Sequence, residues 1–565
     1  MFDPTINFDD LISNIFGIRM PTLFWTTQGA FTLVLLAFLT YIINQYIKYS
    51  QYSENDKQVR KIPHWIPFVG HSVSFFYEPV KLLNRLRRNE SSGIFALQVG
   101  VVTVNIACDE YIAKKILAEK ESSLSYEPIA WKIAQRISGV PHQSREKHNL
   151  SWENYKSIYQ YLMNKPHVEK ITKRISQLLE QNIPQMVSFL ETSVDLQPWE
   201  RCANASLVSP YQSEMSLMPL IHMMMGYASV SALFGSEILE KYPDLIENLD
   251  EMDKGIQYFL WGLPAWLPWP GVMKSHIARY KLWKYMDDYE IALDNKLSCK
   301  PNECLWGDLE DVSDFIKARH KFLKENGFDI KERADIGILW ASIANTNMLV
   351  FWFILHVYSS PGLVKSLRDE INLYALVTPG ITIGKFSEAP RLSLNSKMLS
   401  KSCPQLRAAL FETLRLHSRA WSVRAVSEDI EISNNQKEPC FSPFHLKKGE
   451  YVVIPNSAHM HDPSYYRDPL VFKPERFLTY NDDGSISVNV GAIRPFGGGS
   501  SACKGQEIAE NECLLLVAGV VAYWDIEPAN EVSGWVIPNK VGSSNISRPA
   551  HDVRVKIKRR KFPWE

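Results

Sequence analysis

The stretch Arg494-Pro-Phe-Gly-Gly-Gly-Ser-Ser-Ala-Cys503-Lys-Gly505 runs directly into an apolar segment with a helical pattern. A cysteine here closes a glycine-rich loop just ahead of a helix start. Backbone N–H groups at that start, and the positive end of the helix dipole, favour a thiolate and predict a lowered pKa. The glycines let main chain approach something flat and large. Taken alone the loop decides little, because a lone cysteine is usually a small buried hydrophobe. Its meaning comes from two further stretches upstream.

In Phe411-Glu412-Thr-Leu-Arg415, Glu412 and Arg415 stand three apart and share a helix face. Phe472-Lys-Pro-Glu475-Arg476-Phe477 follows later. Either could be ordinary surface, and an exposed helix pair contributes little. In this order, ahead of Phe496-x-x-Gly499-x-x-x-Cys503-x-Gly505, they resemble the cytochrome P450 superfamily. The resemblance implies a mainly α fold with small β-sheets and heme b as cofactor. Cys503 is then the axial thiolate on the iron, in a loop shaped by Phe496, Gly499 and Gly505. Glu412, Arg415 and Arg476 form an interlocked structural network, tolerable in the interior only with full hydrogen bonding.

Composition agrees with one large folded body. The chain has 565 residues, is 45% hydrophobic and carries no formal net charge, so nothing points to nucleic acid. Its eight cysteines form no Cys-x-x-Cys pair, which argues against zinc sites and a disulfide framework. An apolar stretch over residues 21–47 is long enough to span a bilayer. Lys48, Lys57, Arg60 and Lys61 follow it and place the bulk of the chain in the cytosol by the positive-inside rule. The expected layout is a short lumenal stretch over 1–20, an anchor over 21–47, a polar linker over 48–61 and a catalytic domain over 62–565. This resembles single-pass endoplasmic-reticulum members of the family. A proline-rich hinge is expected at Ile62-Pro-His-Trp-Ile-Pro-Phe-Val-Gly70.

Helical patterns dominate from about Asp109 to Ile430, with strand-like runs at Ile94–Val99, Val101–Ala107, Tyr451–Ile454, Trp535–Ile537 and Val553–Ile557. Phe259–Gly271 holds Trp261, Trp266 and Trp269 among three prolines. Tryptophan favours the membrane interface, so this loop is expected to touch lipid. The segment Arg333–Tyr358 reads as one long helix, apolar almost all round, with Ser342, Asn345, Thr346 and Asn347 at its middle. Such a polar cluster needs partners or bends the helix. The resemblance implies that this helix lies over the heme and that the Thr346 hydroxyl helps deliver protons during oxygen activation. Asn345 stands where the family usually has an acid. Together with Phe351-Trp352 the string resembles the branch containing cholesterol 7α-hydroxylase, sterol 12α-hydroxylase and prostacyclin synthase, and the cysteine loop resembles fungal biosynthetic members.

Two features depart from the family pattern. Ser501 replaces the usual base two before the cysteine, and no tryptophan-x-x-x-arginine is evident near 150. Arg424 is the remaining candidate to meet a heme propionate. The implied activity is insertion of one oxygen atom from O2 into a bulky apolar substrate, with electrons from NADPH through NADPH-cytochrome P450 reductase, in a biosynthetic pathway. The rivals are a heme-thiolate isomerase or dehydratase that needs no NADPH, and a non-enzymatic heme-binding membrane protein.

Overall fold

The computed structural model describes residues 27–50, 58–64, 66–90, 92–298, 306–383, 386–433, 443–542 and 545–564. Residues 1–26 and 51–57, and with them the expected lumenal stretch, the start of the anchor and most of the linker, lie outside the described residues, as do Cys299, Cys304 and Cys440. The chain divides into two units. One takes residues up to Leu124 together with Val426–Val453, and the other takes Ser125–Ala425 with Ile454–Glu565.

The first unit is built on the hairpin Ile94–Val99 and Val102–Ala107, paired from Ile94↔Ala107 to Val99↔Val102. Tyr451–Val453 adds in parallel to Val104–Ile106. Both faces of Ile94–Leu97 are buried, which is why that run is apolar without alternation. The hinge is not a free linker. Ile62 N donates to Ala96 O at 2.9 Å and Ala96 N to Arg60 O at 2.8 Å, so the segment lies along the hairpin edge. Gly70 closes it: a Cβ there would meet Gln98 O at 2.2 Å. The helix Thr27–Ser50 precedes this segment, and its Val34, Leu35, Leu36, Leu39, Ile43 and Ile47 are exposed.

The second unit is mostly helical. Its core is made by α1 (Lys165–Asn182), α2 (Leu217–Phe234), α3 (Leu245–Lys254), α4 (Asp335–Ile343), α5 (Thr346–Ser359), α6 (Pro404–His417) and α7 (Gln506–Tyr523). By length and composition, α2 and the run Asp335–Ser359 could each cross a membrane. Here they are apolar because they pack on one another and on neighbouring core helices, α5 meeting α2, α6 and α7. The expected single helix over Arg333–Tyr358 is therefore two. It breaks at Ala344-Asn345, where Asn345 has φ −105°. An asparagine whose side chain competes for main-chain groups disfavours helix interiors.

Helices dominate the region from Asp109 to Ile430, as expected, and short strands punctuate it. Ser206–Ser209 and Gln212–Ser216 join Trp524–Pro528 and Arg554–Arg559 in an antiparallel sheet, and Ala375–Thr378 pairs with Arg391–Leu394. Gln212–Ser216 pairs with its hairpin neighbour Ser206–Ser209 on one side and with the distant Arg554–Lys558 on the other. Trp535–Ile537 is irregular instead of a strand. Gly534 enters it with φ +61° and Pro538 leaves it without an N–H, so the run is too short to ladder.

Candidate active site

The cysteine loop is held by its own backbone. Cys503 N donates to Phe496 O at 2.9 Å, Ala502 N to Gly499 O at 3.1 Å and Gly497 N to Arg494 O at 3.1 Å. Gly497 and Gly499 have φ of +76° and +64°, a region that other residues rarely adopt. α7 begins at Gln506, with Gly505 as its cap. Cys503 is exposed, whereas Cys108, Cys403 and Cys513 are buried. Protein atoms nonetheless crowd around it: burial pushes its thiol up, against the opposing pull of the Gly505 N–H and the Lys504 charge. The net direction reverses the lowered pKa expected from the sequence, because desolvation outweighs one helix terminus. A coordinated metal cation would supply the charge that the terminus does not. Gly505 has φ −91°, which any residue adopts, and a Cβ there would meet nothing within 4 Å. Neither strain nor packing within the chain requires that glycine.

Arg424, on the strand Trp421–Val426, is buried and turned into this loop. Its guanidinium donates to Ser501 Oγ, to Gly498 O at 3.1 Å and to Val423 O at 3.2 Å. Ser501, the departure seen in the sequence, is thus a partner of Arg424.

The structure also brings Glu412, Arg415 and Arg476 together. Arg415 Nε and Nη2 grip the Glu412 carboxylate at 2.7 and 2.9 Å, and Arg476 Nε reaches Oε1 at 3.2 Å. Lys473 N adds a main-chain bond to Oε1 at 2.9 Å. Arg415 Nη1 donates to Met460 O and Pro469 O at 2.6 and 2.7 Å. Glu412 and Arg415 have no exposed side-chain surface, so each bond replaces lost hydration.

Thr346 opens α5, immediately after the break, and is buried. Among the described residues its hydroxyl makes only long contacts, to Ser342 O at 3.4 Å and Ile343 O at 3.5 Å. Such contacts are weak enough to yield to a better acceptor. Asn345 Oδ1 accepts the Asn545 N–H at 3.2 Å. Asn347 turns the other way, to His222 Nδ1. Although the helix is a core element, Gly337, Ile338, Ala341, Ser342 and Asn345 remain accessible as one stripe.

The sequence reading missed Trp152. Its indole N–H is buried and finds no acceptor among the described residues. Lys156, one turn on, lies 5.4 Å from the ring centre and pairs with Glu153 at 2.8 Å. The available signal was Trp152-x-x-x-Lys156, in which lysine replaces the expected arginine.

Comparison with protein families matches residues 61–556 to "Cytochrome P450". The chain belongs to the cytochrome P450 family. It is 24% identical to the cytochrome P450 monooxygenase poxD of Penicillium oxalicum, over 84% of this chain and 88% of the relative. It is 23% identical to cytochrome P450 7B1 of Mus musculus, over 82% and 84%. It is also 24% identical to the 7-alpha-hydroxycholest-4-en-3-one 12-alpha-hydroxylase of Oryctolagus cuniculus, over 87% and 91%. This P450 is a monooxygenase whose cofactor is heme held by a cysteine thiolate. Members of the family take electrons from a reductase and act with O2 on apolar substrates. The residues present fit that cofactor. An exposed Cys503 and open space beside Gly505 suit a large ligand.

Proposed function

We propose that Cys503 is the axial thiolate ligand and that this P450 is a membrane-bound enzyme oxygenating a bulky apolar substrate. NADPH-cytochrome P450 reductase supplies the electrons. The observation that carries the reading is the exposed Cys503, ahead of α7 in a loop braced by Arg424. Arg424 and the Trp152 indole N–H are the groups that would hold heme carboxylates, with Phe496, Gly499 and Gly505 shaping the loop. Bound through a thiolate, heme supplies the O–O cleavage.

The chain's own residues set the conditions for that chemistry. Thr346 Oγ1 holds a proton on weak contacts and can pass it into the site. The small side chains of the α4 stripe leave room for a broad apolar molecule, and the apolar remainder of the helix excludes water. Relatives named as sterol hydroxylases and a fungal monooxygenase make sterol-, terpenoid- or polyketide-like substrates of a biosynthetic pathway the class to try first.

The exposed apolar face of Thr27–Ser50 supports a single-pass anchor in the endoplasmic-reticulum membrane, with residues 62–565 as the cytosolic catalytic domain. Trp266 and Trp269, exposed at 80% and 49% beside exposed Met273 and Ile277, support a second lipid contact. The test compares metabolites of cells with and without the protein, then counts product, peroxide and NADPH in a system reconstituted with the reductase. Product that depends on NADPH and reductase supports the reading. Product formed without either moves the protein to the isomerase class.

A further inference from the structure

We propose that Asn345 is a positioning residue, whose side-chain carbonyl locks the helix break carrying Thr346 to the C-terminal turn at 545–548. The inference rests on the role given to Thr346 above.

The turn is first pinned to the end of α6. Arg419 N donates to Asn545 O at 2.6 Å, Ser547 N donates to His417 O at 2.9 Å, and Ser418 pairs antiparallel with Ile546. Ser418 Oγ also reaches Pro495 O of the cysteine loop, at 3.4 Å. The same turn then holds the α4–α5 pair at three places. Asn545 N meets Asn345 Oδ1 at 3.2 Å, and Trp352 Nε1 donates to Ser547 O at 2.7 Å. Arg548 grips Asp253 of α3 at 2.6 Å and Asp250 at 2.8 Å, and Trp340 Nε1 donates to Asp253 Oδ1 at 2.7 Å. The ties therefore fall before the break, at it and after it.

Thr346 is the first residue beyond the break, so its hydroxyl follows the local geometry at 345. Without a tie at 345, the direction of the Thr346 hydroxyl rests on contacts of 3.4 Å or longer. The lock needs an acceptor at 345. An amide supplies one without burying a charge, which explains why an asparagine suffices where a carboxylate is usual. The relation to the cysteine loop is one of shared anchorage, through Ser418.

The test is hydrogen–deuterium exchange of the full-length heme protein, read at the peptides covering 335–359 and 545–550. In the native protein the Asn545 amide should be strongly protected. Exchange at the rate of a free loop overturns the lock before any variant is made. Asn345→Leu should speed Asn545 exchange about tenfold, the factor set by one ordinary net hydrogen bond. It should also broaden the C–O stretching band of the carbon-monoxide-bound heme. Asn345→Asp keeps an acceptor and should restore both readouts. Failure of Asp to rescue overturns the acceptor role. A loosened turn with an unchanged C–O band, and with no more peroxide released per NADPH, overturns the positioning role. Unchanged peroxide release in Thr346→Ala instead sinks the reading of Thr346, while the exchange data still judge the lock.

Discussion

Arg424 donates to Ser501, the residue two before Cys503, so a buried guanidinium reaches the cysteine loop through a serine. The loop carbonyl of Gly498 completes the grip. A rigid fork is needed to meet these acceptors, and lysine cannot reproduce it.

Arg424→Met should therefore loosen the loop and speed heme loss to a scavenger globin by about tenfold or more, as expected when buried acceptors lose a charged donor. Arg424→Lys should recover only part of the retention. Heme loss at the native rate in both variants would show that the guanidinium does not hold the site.

Cys503 and Cys513 form a clean contrast, since one is exposed and the other is in the core of α7. Cys503→Ser should abolish the red-shifted Soret band of the reduced carbon-monoxide complex. Cys513→Ala should keep that band and lower stability by about 1 kcal/mol through a small cavity. The reverse pattern would transfer the ligand role to Cys513.

Glu412→Ala leaves Arg415 buried with only carbonyl partners on one edge. Breaking a buried pair in this way costs about 3–5 kcal/mol. The expected outcome is little heme-loaded protein and a markedly lower unfolding midpoint. A variant that folds and loads heme normally but fails in turnover would show a catalytic role in place of the structural one.

Glu512 gives stability a pH dependence. It is buried in α7 beside Ser229, and burial pushes its carboxyl up to about 8. Ser229 Oγ donates to the Glu512 carboxyl, which pulls it back only part of the way against the burial. Unfolded, a glutamic acid ionises near pH 4.3, give or take about half a unit. Between that value and about 8 the folded state binds the extra proton, so rising pH weakens folding. The contribution is fully present below the unfolded pKa and gone above the folded one. Glu512→Gln should flatten this slope and, near pH 9, exceed the native protein in stability by about 3–5 kcal/mol. Denaturant midpoints across that range decide it; parallel pH profiles for the two proteins would rule it out.

Removal of residues 1–50 should release most of the protein from microsomes and leave a heme-binding domain. Replacing Trp266 and Trp269 by serine in that truncated chain should remove the remaining adhesion to phosphatidylcholine vesicles, read by flotation. Adhesion that survives both changes would place the lipid contact elsewhere.

Much of this was legible because it is local. The order of Glu412, Arg415, Arg476 and Cys503, the glycines around the cysteine and the polar centre of the long helix are each set by neighbours along the chain. Turn glycines, i,i+3 pairs and helix starts obey short-range sterics and hydrogen bonding, so the sequence by itself determined the family pattern and the residues to examine. What only the tertiary structure decided depends on segments far apart. Arg424 takes Ser501 as its partner, Asn345 takes the Asn545 N–H, and the hairpin Ser206–Ser216 gains a third strand in Arg554–Lys558. The Cys503 thiol likewise went up and not down, since its pKa follows the crowding of atoms from the whole fold and the helix terminus is only one contributor. Burial and long-range hydrogen bonds are properties of the packed chain, and no window of sequence contains them.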